Sequence, residues 1–150
     1  MPRNRYEMGG GGLVSTLADY TQFALMLLNK GELNGVRVLS SNTVEWMASN
    51  HLPDNADIPS MSALPRADFG IGFGLGFGVQ LGGPSRHNRR GKGTFYWGGA
   101  ASTLFWVDPS NDLIAVFLTQ MMGQNPARPI HPPLITLVYG ALADAPAARL

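Results

Sequence analysis

The chain has 150 residues, 45% of them hydrophobic and 14% charged, with a formal net charge of +1 and no cysteine. So much apolar content with so little charge excludes a disordered tail, and the near-neutral balance gives no electrostatic ground for nucleic acid or an anionic membrane. The lack of thiols removes disulfides, thiolate catalysis and cysteine-based zinc sites, and it leaves the redox compartment open.

At this length a single region, 1–150, is expected to bury one core. No apolar run approaches a membrane span, and Met1 to Arg5 lead into no apolar signal segment. Gly9 to Gly12 form a glycine run, followed by a helix start. Thr16 with Asp19 three residues on resembles a capping box, and Leu17, Tyr20, Ala24, Leu27 and Leu28 recur at helical spacing. Gly31 supplies a left-handed stop. Asn34-Gly35 between Leu33 and Val36 is the dipeptide of a tight hairpin. Ser40 or Ser41 can cap a second short helix with Val44, Met47 and Ala48 on its apolar stripe. His51 to Asp68 is polar and proline-rich and reads as a surface loop. From Gly70 to Leu81 glycine alternates with large apolar residues, so one face of a strand is bare backbone, a mark of close approach by another segment or a ligand.

Thr94-Phe95-Tyr96, Leu104 to Val107 and Leu113 to Leu118 are predicted strands. The last two are apolar at every position, which predicts burial on both faces. Asp108-Pro109-Ser110-Asn111-Asp112 is a turn too short for anything but an antiparallel return, and Trp97 to Ala101 reverses the chain again. Pro132-Pro133 suits a first helical turn, with Leu134, Leu137, Val138, Ala141 and Leu142 forming one apolar face. The expected fold is α+β: an antiparallel meander of three to four strands, a C-terminal helix packed on it, and two N-terminal helices.

Most features that suggest chemistry have a plainer structural reading. The glycines of 70–78 occupy alternate positions, so no G-x-G-x-x-G occurs within the run, and no Walker-type loop is present. Arg86, His87, Arg89, Arg90 and Lys92 read as a solvated loop tip, given the near-zero net charge. His51, His87 and His131 are far apart and lack ligand spacing, so no metal is expected, and no cofactor either. Asp19, Asp108 and Asp112 already have capping or turn roles. Trp97-Gly98-Gly99-Ala100 is the segment where chemistry is expected. Two glycines after a buried strand open space for a substrate carbonyl beside N–H groups that can face a developing oxyanion.

The ordered set GGGGLVSTLADYTQFALMLL, GELNGVRVLSSNTVEWM, FGIGFGLGFGV and WGGAASTLFWVDPSNDLIAVFLTQ resembles the C-terminal part of a serine β-lactamase-like hydrolase. The likeness runs from about Glu7 to Asp144 and looks closest to the family VIII carboxylesterases, relatives of class C β-lactamases and penicillin-binding proteins. It implies a β-lactamase/transpeptidase-like fold and a small ester or amide substrate in an intact parent. Trp97, Gly98 and Gly99 match the third motif of the family, W-G-G in many such esterases and K-T-G in lactamases. The resemblance makes Ala100 the carrier of one oxyanion-hole N–H, makes Trp97 a substrate-binding residue, and puts Gly11 and Gly12 near the pocket rim.

The departures matter as much. None of the nine serines has a lysine three residues on, and no tyrosine has Asn or Ser two residues on. The S-x-x-K nucleophile motif and the tyrosine motif of the family are therefore absent. The chain is expected to be a piece of an enzyme, inactive alone, that self-associates or meets a complementing N-terminal part. A non-catalytic binding module that keeps half of the fold is the alternative.

Overall fold

The computed structural model describes residues 12–58, 70–82, 90–122 and 130–142. Helix α1, Leu17–Leu28, starts as its sequence predicts: Thr16 Oγ1 accepts from the Asp19 N–H at 3.1 Å and donates to the Asp19 carboxylate at 2.8 Å. Its end differs in one respect. Lys30 (φ 52°) takes the left-handed position ahead of Gly31, donating to the Leu27 carbonyl while Gly31 donates to that of Met26. Strands β1 (Glu32–Leu33) and β2 (Val36–Arg37) form the Asn34-Gly35 hairpin, both turn residues having positive φ. Helix α2, Ser41–Met47, is capped by Ser40.

The main sheet has five antiparallel strands in chain order: β3 (Ile71–Phe73), β4 (Gly78–Gln80), β5 (Phe95–Gly98), β6 (Leu104–Asp108) and β7 (Leu113–Phe117). The α+β class is as expected. The glycine-alternating stretch supplies two strands instead of one, because the chain reverses through 74–77, with Gly76 at φ 92°. The bare glycine backbone does mark close approach. A Cβ at Gly72 would strike the Asn50 side chain, and one at Gly74 the Met47 carbonyl. Asn50 Oδ1 accepts from the Phe73 N–H, and the His51 N–H donates to the Phe73 carbonyl, so residues 50 and 51 cover the β3 edge.

Side chains alternate across the sheet. Phe95, Phe105, Val107, Ile114 and Val116 face α1 and α2, where Ala24, Leu27 and Val44 complete one core. Leu104, Trp106, Ala115 and Phe117 face helix α3, His131–Ala141, through Ile135, Leu134, Val138 and Tyr139. Strand β6, fourth of the five strands, is buried at all five positions, Leu104 to Val107 as their unbroken apolar pattern predicts. Strand β7 is only half-buried throughout, since it is the last strand of the sheet. The apolar face of α3 is also rotated from the predicted one: Ile135 is buried, whereas Leu137 is 72% exposed. Among the described residues no helix is long and apolar enough to cross a membrane.

Candidate functional site

The site forms where β5 hands over to β6. Trp97 and Gly98 belong to β5 itself, paired with Phe105 and Leu104, so the reversal begins two residues later than the sequence suggests. It is a three-residue loop, Ala100-Ala101-Ser102, closed by the Gly99 N–H on the Thr103 carbonyl (3.1 Å) and the Ser102 N–H on that of Gly99 (3.0 Å).

The two glycines face opposite sides of the sheet, and each lies beside open space. On the α1 side a cavity of about 220 Å³ is walled by Tyr20, Trp97, Phe105, Val116 and Leu118 over Gly98 and Gly99. On the α3 side a second opening of about 320 Å³ lies against Tyr96, Leu104, His131 and the same glycines. A Cβ on Gly99 would stand 2.5 Å from Thr103 Oγ1, and one on Gly98 3.1 Å from the Thr103 carbonyl oxygen. A side chain at 99 would therefore require Thr103 to turn or the loop to shift. Trp97 is half-exposed, its ring held edge-on by Phe73 at 4.9 Å and 85°. Ala100 is exposed at the loop tip, and its N–H has no acceptor among the described residues.

Of the residues singled out from sequence, Trp97, Gly98 and Gly99 line both openings, and Ala100 follows them in the turn without lining either. Gly12 is exposed ahead of α1 and lines neither opening, and Gly11 lies outside the described residues. Sequence reading missed four contributors. In the sequence Tyr20 is one member of a helical apolar stripe, Phe73 one of several alternating apolar residues, Leu118 the end of a strand, and His131 a histidine without ligand spacing. The helical spacing that revealed Tyr20 could not show which end of the sheet it would meet.

At the far end of β6 from the site, on the α3 side, sits a tight polar cluster. Asp108, fully buried, accepts from Tyr139 Oη (2.6 Å), Asn111 Nδ2 (2.8 Å) and the Ser110 N–H and hydroxyl. Burial alone would raise its pKa, but the bonds from Ser110, Tyr139 and Asn111 outweigh it and leave the carboxyl below its ordinary value. Tyr139 is pushed up, first by burial and then by the Asp108 carboxylate it bonds. The turn role expected for Asp108 is present, and the tie to α3 is added to it. The basic segment is partly outside the described residues, Arg86, His87 and Arg89 among them. Arg90 lies 3.5 Å over the Tyr96 ring, packed rather than solvated. No group of three or more potential metal ligands occurs among the described residues.

Residues 1–140 match the family described as Beta-lactamase. The chain belongs to the beta-lactamase family. Over 119 residues it is 40% identical to Protein Rv1367c of Mycobacterium tuberculosis (strain ATCC 25618 / H37Rv), covering 74% of this chain and 28% of that protein. This beta-lactamase-family chain therefore spans less than a third of the length of the curated relatives it matches. Among solved structures it resembles a penicillin-binding protein homolog from Caulobacter crescentus, with TM-score 0.59, 18% identity, and coverage of 80% of this chain and 30% of the homolog. It also resembles EstCE1, a hydrolase with promiscuous acyltransferase activity, with TM-score 0.53, 24% identity, and coverage of 70% and 25%. These likenesses carry the fold, which is the β-lactamase/transpeptidase-like one.

Proposed function

We propose that this chain is the part of a β-lactamase-fold serine hydrolase that supplies the third motif and one oxyanion-hole N–H. The reaction would be hydrolysis of short acyl esters through an acyl-serine intermediate, as in the family VIII carboxylesterases. A serine oxygen adds to the ester carbonyl, the alcohol leaves with a proton, and water then releases the acid. The observation that carries this reading is the exposed Ala100, whose N–H has no acceptor among the described residues and which directly follows Gly98 and Gly99 of an apolar cavity wall. An N–H so placed stabilises the negative charge that grows on the carbonyl oxygen during attack.

Trp97 supports esters over anionic β-lactams. Its ring presents one N–H donor and no positive charge, where the lactamase pattern has lysine. An anionic substrate loses a charge-assisted bond of about 1.5–3 kcal/mol there, and a neutral ester loses nothing. Cavity size supports a short acyl group: about 220 Å³ is below the ~300–1,000 Å³ of whole-ligand pockets. With neither S-x-x-K nor the family tyrosine motif in the sequence, the nucleophile and its base belong to a complementing N-terminal part.

The test transplants residues 93–120 into a complete esterase of the family and compares kcat/KM for a p-nitrophenyl ester and a penicillin. The ester should be preferred, and Trp97→Lys should move the ratio toward the penicillin. A tryptophan enzyme that favours the penicillin, with a ratio that lysine leaves unchanged, overturns the proposal.

A further inference from the structure

We infer that Ser102 and His131 are positioning residues for the Ala100 N–H, holding fixed the 99–103 turn that carries it directly after the cavity-lining Gly98 and Gly99. The inference rests on the reading of Ala100 as an oxyanion donor, and its starting point is an anomaly in the turn.

In a three-residue hairpin loop the last position is left-handed, and glycine is the usual occupant because it has no Cβ to clash. Here that position is Ser102, at φ 60°. A serine in this conformation persists only where its surroundings over-determine it, and such outliers concentrate at functional sites. Ser102 is 1% exposed, and each of its polar groups is engaged. Its N–H donates to the Gly99 carbonyl at 3.0 Å. Its hydroxyl donates to the Met121 carbonyl at 2.8 Å, anchoring the turn to the segment after β7. Its own carbonyl lies 2.9 Å from His131 Nε2. A carbonyl can only accept, so the imidazole carries its proton on Nε2.

His131 is itself held in place. It occupies the first turn of α3, is followed by Pro132-Pro133, and packs edge-on against Phe117 at 6.4 Å and 86°. The turn is thus tied to three separate places: across the hairpin, to the segment after β7, and to α3. Glycine at 102 would satisfy the backbone more easily yet could not make the Met121 bond. Serine at this position gives up conformational ease for anchorage, and anchorage is what a preorganised oxyanion donor requires.

The experiment uses backbone 15N relaxation on this chain, with Trp106 in β6 as the internal reference. In the unsubstituted chain the Ala100 N–H should be rigid, with an order parameter near 0.85. Ser102→Gly and His131→Leu should lower it toward about 0.6 with Trp106 unchanged. His131→Gln, whose amide can still donate to the Ser102 carbonyl, should restore it. In the esterase carrying residues 93–142, Ser102→Gly and His131→Leu should cut kcat about tenfold, less than the ~10²–10³ of outright donor loss, with KM little changed. An Ala100 N–H that is mobile from the start, or equally rigid in both variants, overturns the inference. So does an active chimera in which the variants loosen Ala100 without lowering kcat. A chimera with no esterase activity before any substitution sinks the ester reading instead, and the order parameters still decide the positioning role.

Discussion

At the scale of single residues, position 99 shows how a missing atom shapes a site. The Thr103 hydroxyl occupies the space a Cβ would need, only 2.5 Å from it. Gly99→Ala should therefore force Thr103 to turn or the loop to shift, at about 1–3 kcal/mol, the usual range for overpacking. The two residues should be coupled, because removing the hydroxyl removes the obstacle. Thr103→Ala added to Gly99→Ala should recover more than half of the loss, read from urea-unfolding midpoints. Additive costs in the double variant would show that the clash is not with this hydroxyl. Position 97 shows the opposite case, where an added large ring, held by Phe73, sets the polarity of the cavity mouth.

At the scale of elements, α3 is fastened to the sheet by one apolar and one polar contact. Ile135 is buried between Leu104 and Trp106, and Ile135→Ala should cost about 2–5 kcal/mol. Leu137→Gln should stay within about 0.5 kcal/mol, since that side chain faces solvent. Reversal of this order would mean the helix is rotated. The polar contact is Tyr139 on Asp108, a bond to a charged group worth about 1.5–3 kcal/mol, which Tyr139→Phe should remove. Its pH dependence has two arms. Asp108, lowered in the folded chain, stabilises above its ordinary value of about 4, and that contribution is lost as pH falls through the folded value. Tyr139, raised, contributes fully below about pH 10, and its contribution is lost as pH rises toward the folded value. The difference in stability between the chain and Tyr139→Phe should therefore shrink between pH 9 and 11. A difference that stays constant across that range would contradict the raised phenol.

At the scale of the whole molecule, both faces of the main sheet are covered, one by α1 and α2 and the other by α3. The two N-terminal helices thus cover the face that the terminal helix leaves, and β6 is buried on both sides. Exposed apolar side chains remain elsewhere, among them Trp97 and Leu118 at the cavity and Met121 and Met122 beyond β7. The cavity mouth, with Trp97 and Leu118 exposed in a chain without a nucleophile motif, is where we expect self-association or docking of an N-terminal part. The purified chain should bind an apolar-sensing dye, and Trp97→Ser with Leu118→Ser should reduce both dye binding and the mass seen by light scattering. It should not hydrolyse p-nitrophenyl esters, because none of its serines has the lysine three residues on that activates the family's nucleophile. A sharp monomer with no dye binding would count against the first expectation, and turnover lost on mutating one of its own serines against the second.

Local chemistry was enough to determine the elements whose cause is local. The Thr16 cap, the Asn34-Gly35 hairpin, the Ser40 cap, the Asp108 turn and doubly buried β6 are legible because each depends on neighbours in sequence. The open space beside the W-G-G segment was legible too, its paired glycines being conspicuous wherever the chain goes. What required the folded chain were the pairings between distant segments. The split of 70–81 into two strands depends on Met47 and Asn50 filling the glycine faces. The rotation of α3 depends on Trp106 and Asp108 receiving Ile135 and Tyr139. The hold on Ser102 depends on a histidine 29 residues away that no spacing rule selects. Periodicity shows that a helix has an apolar face, but side chains arriving from other elements decide which residues that face meets, because close packing admits few arrangements.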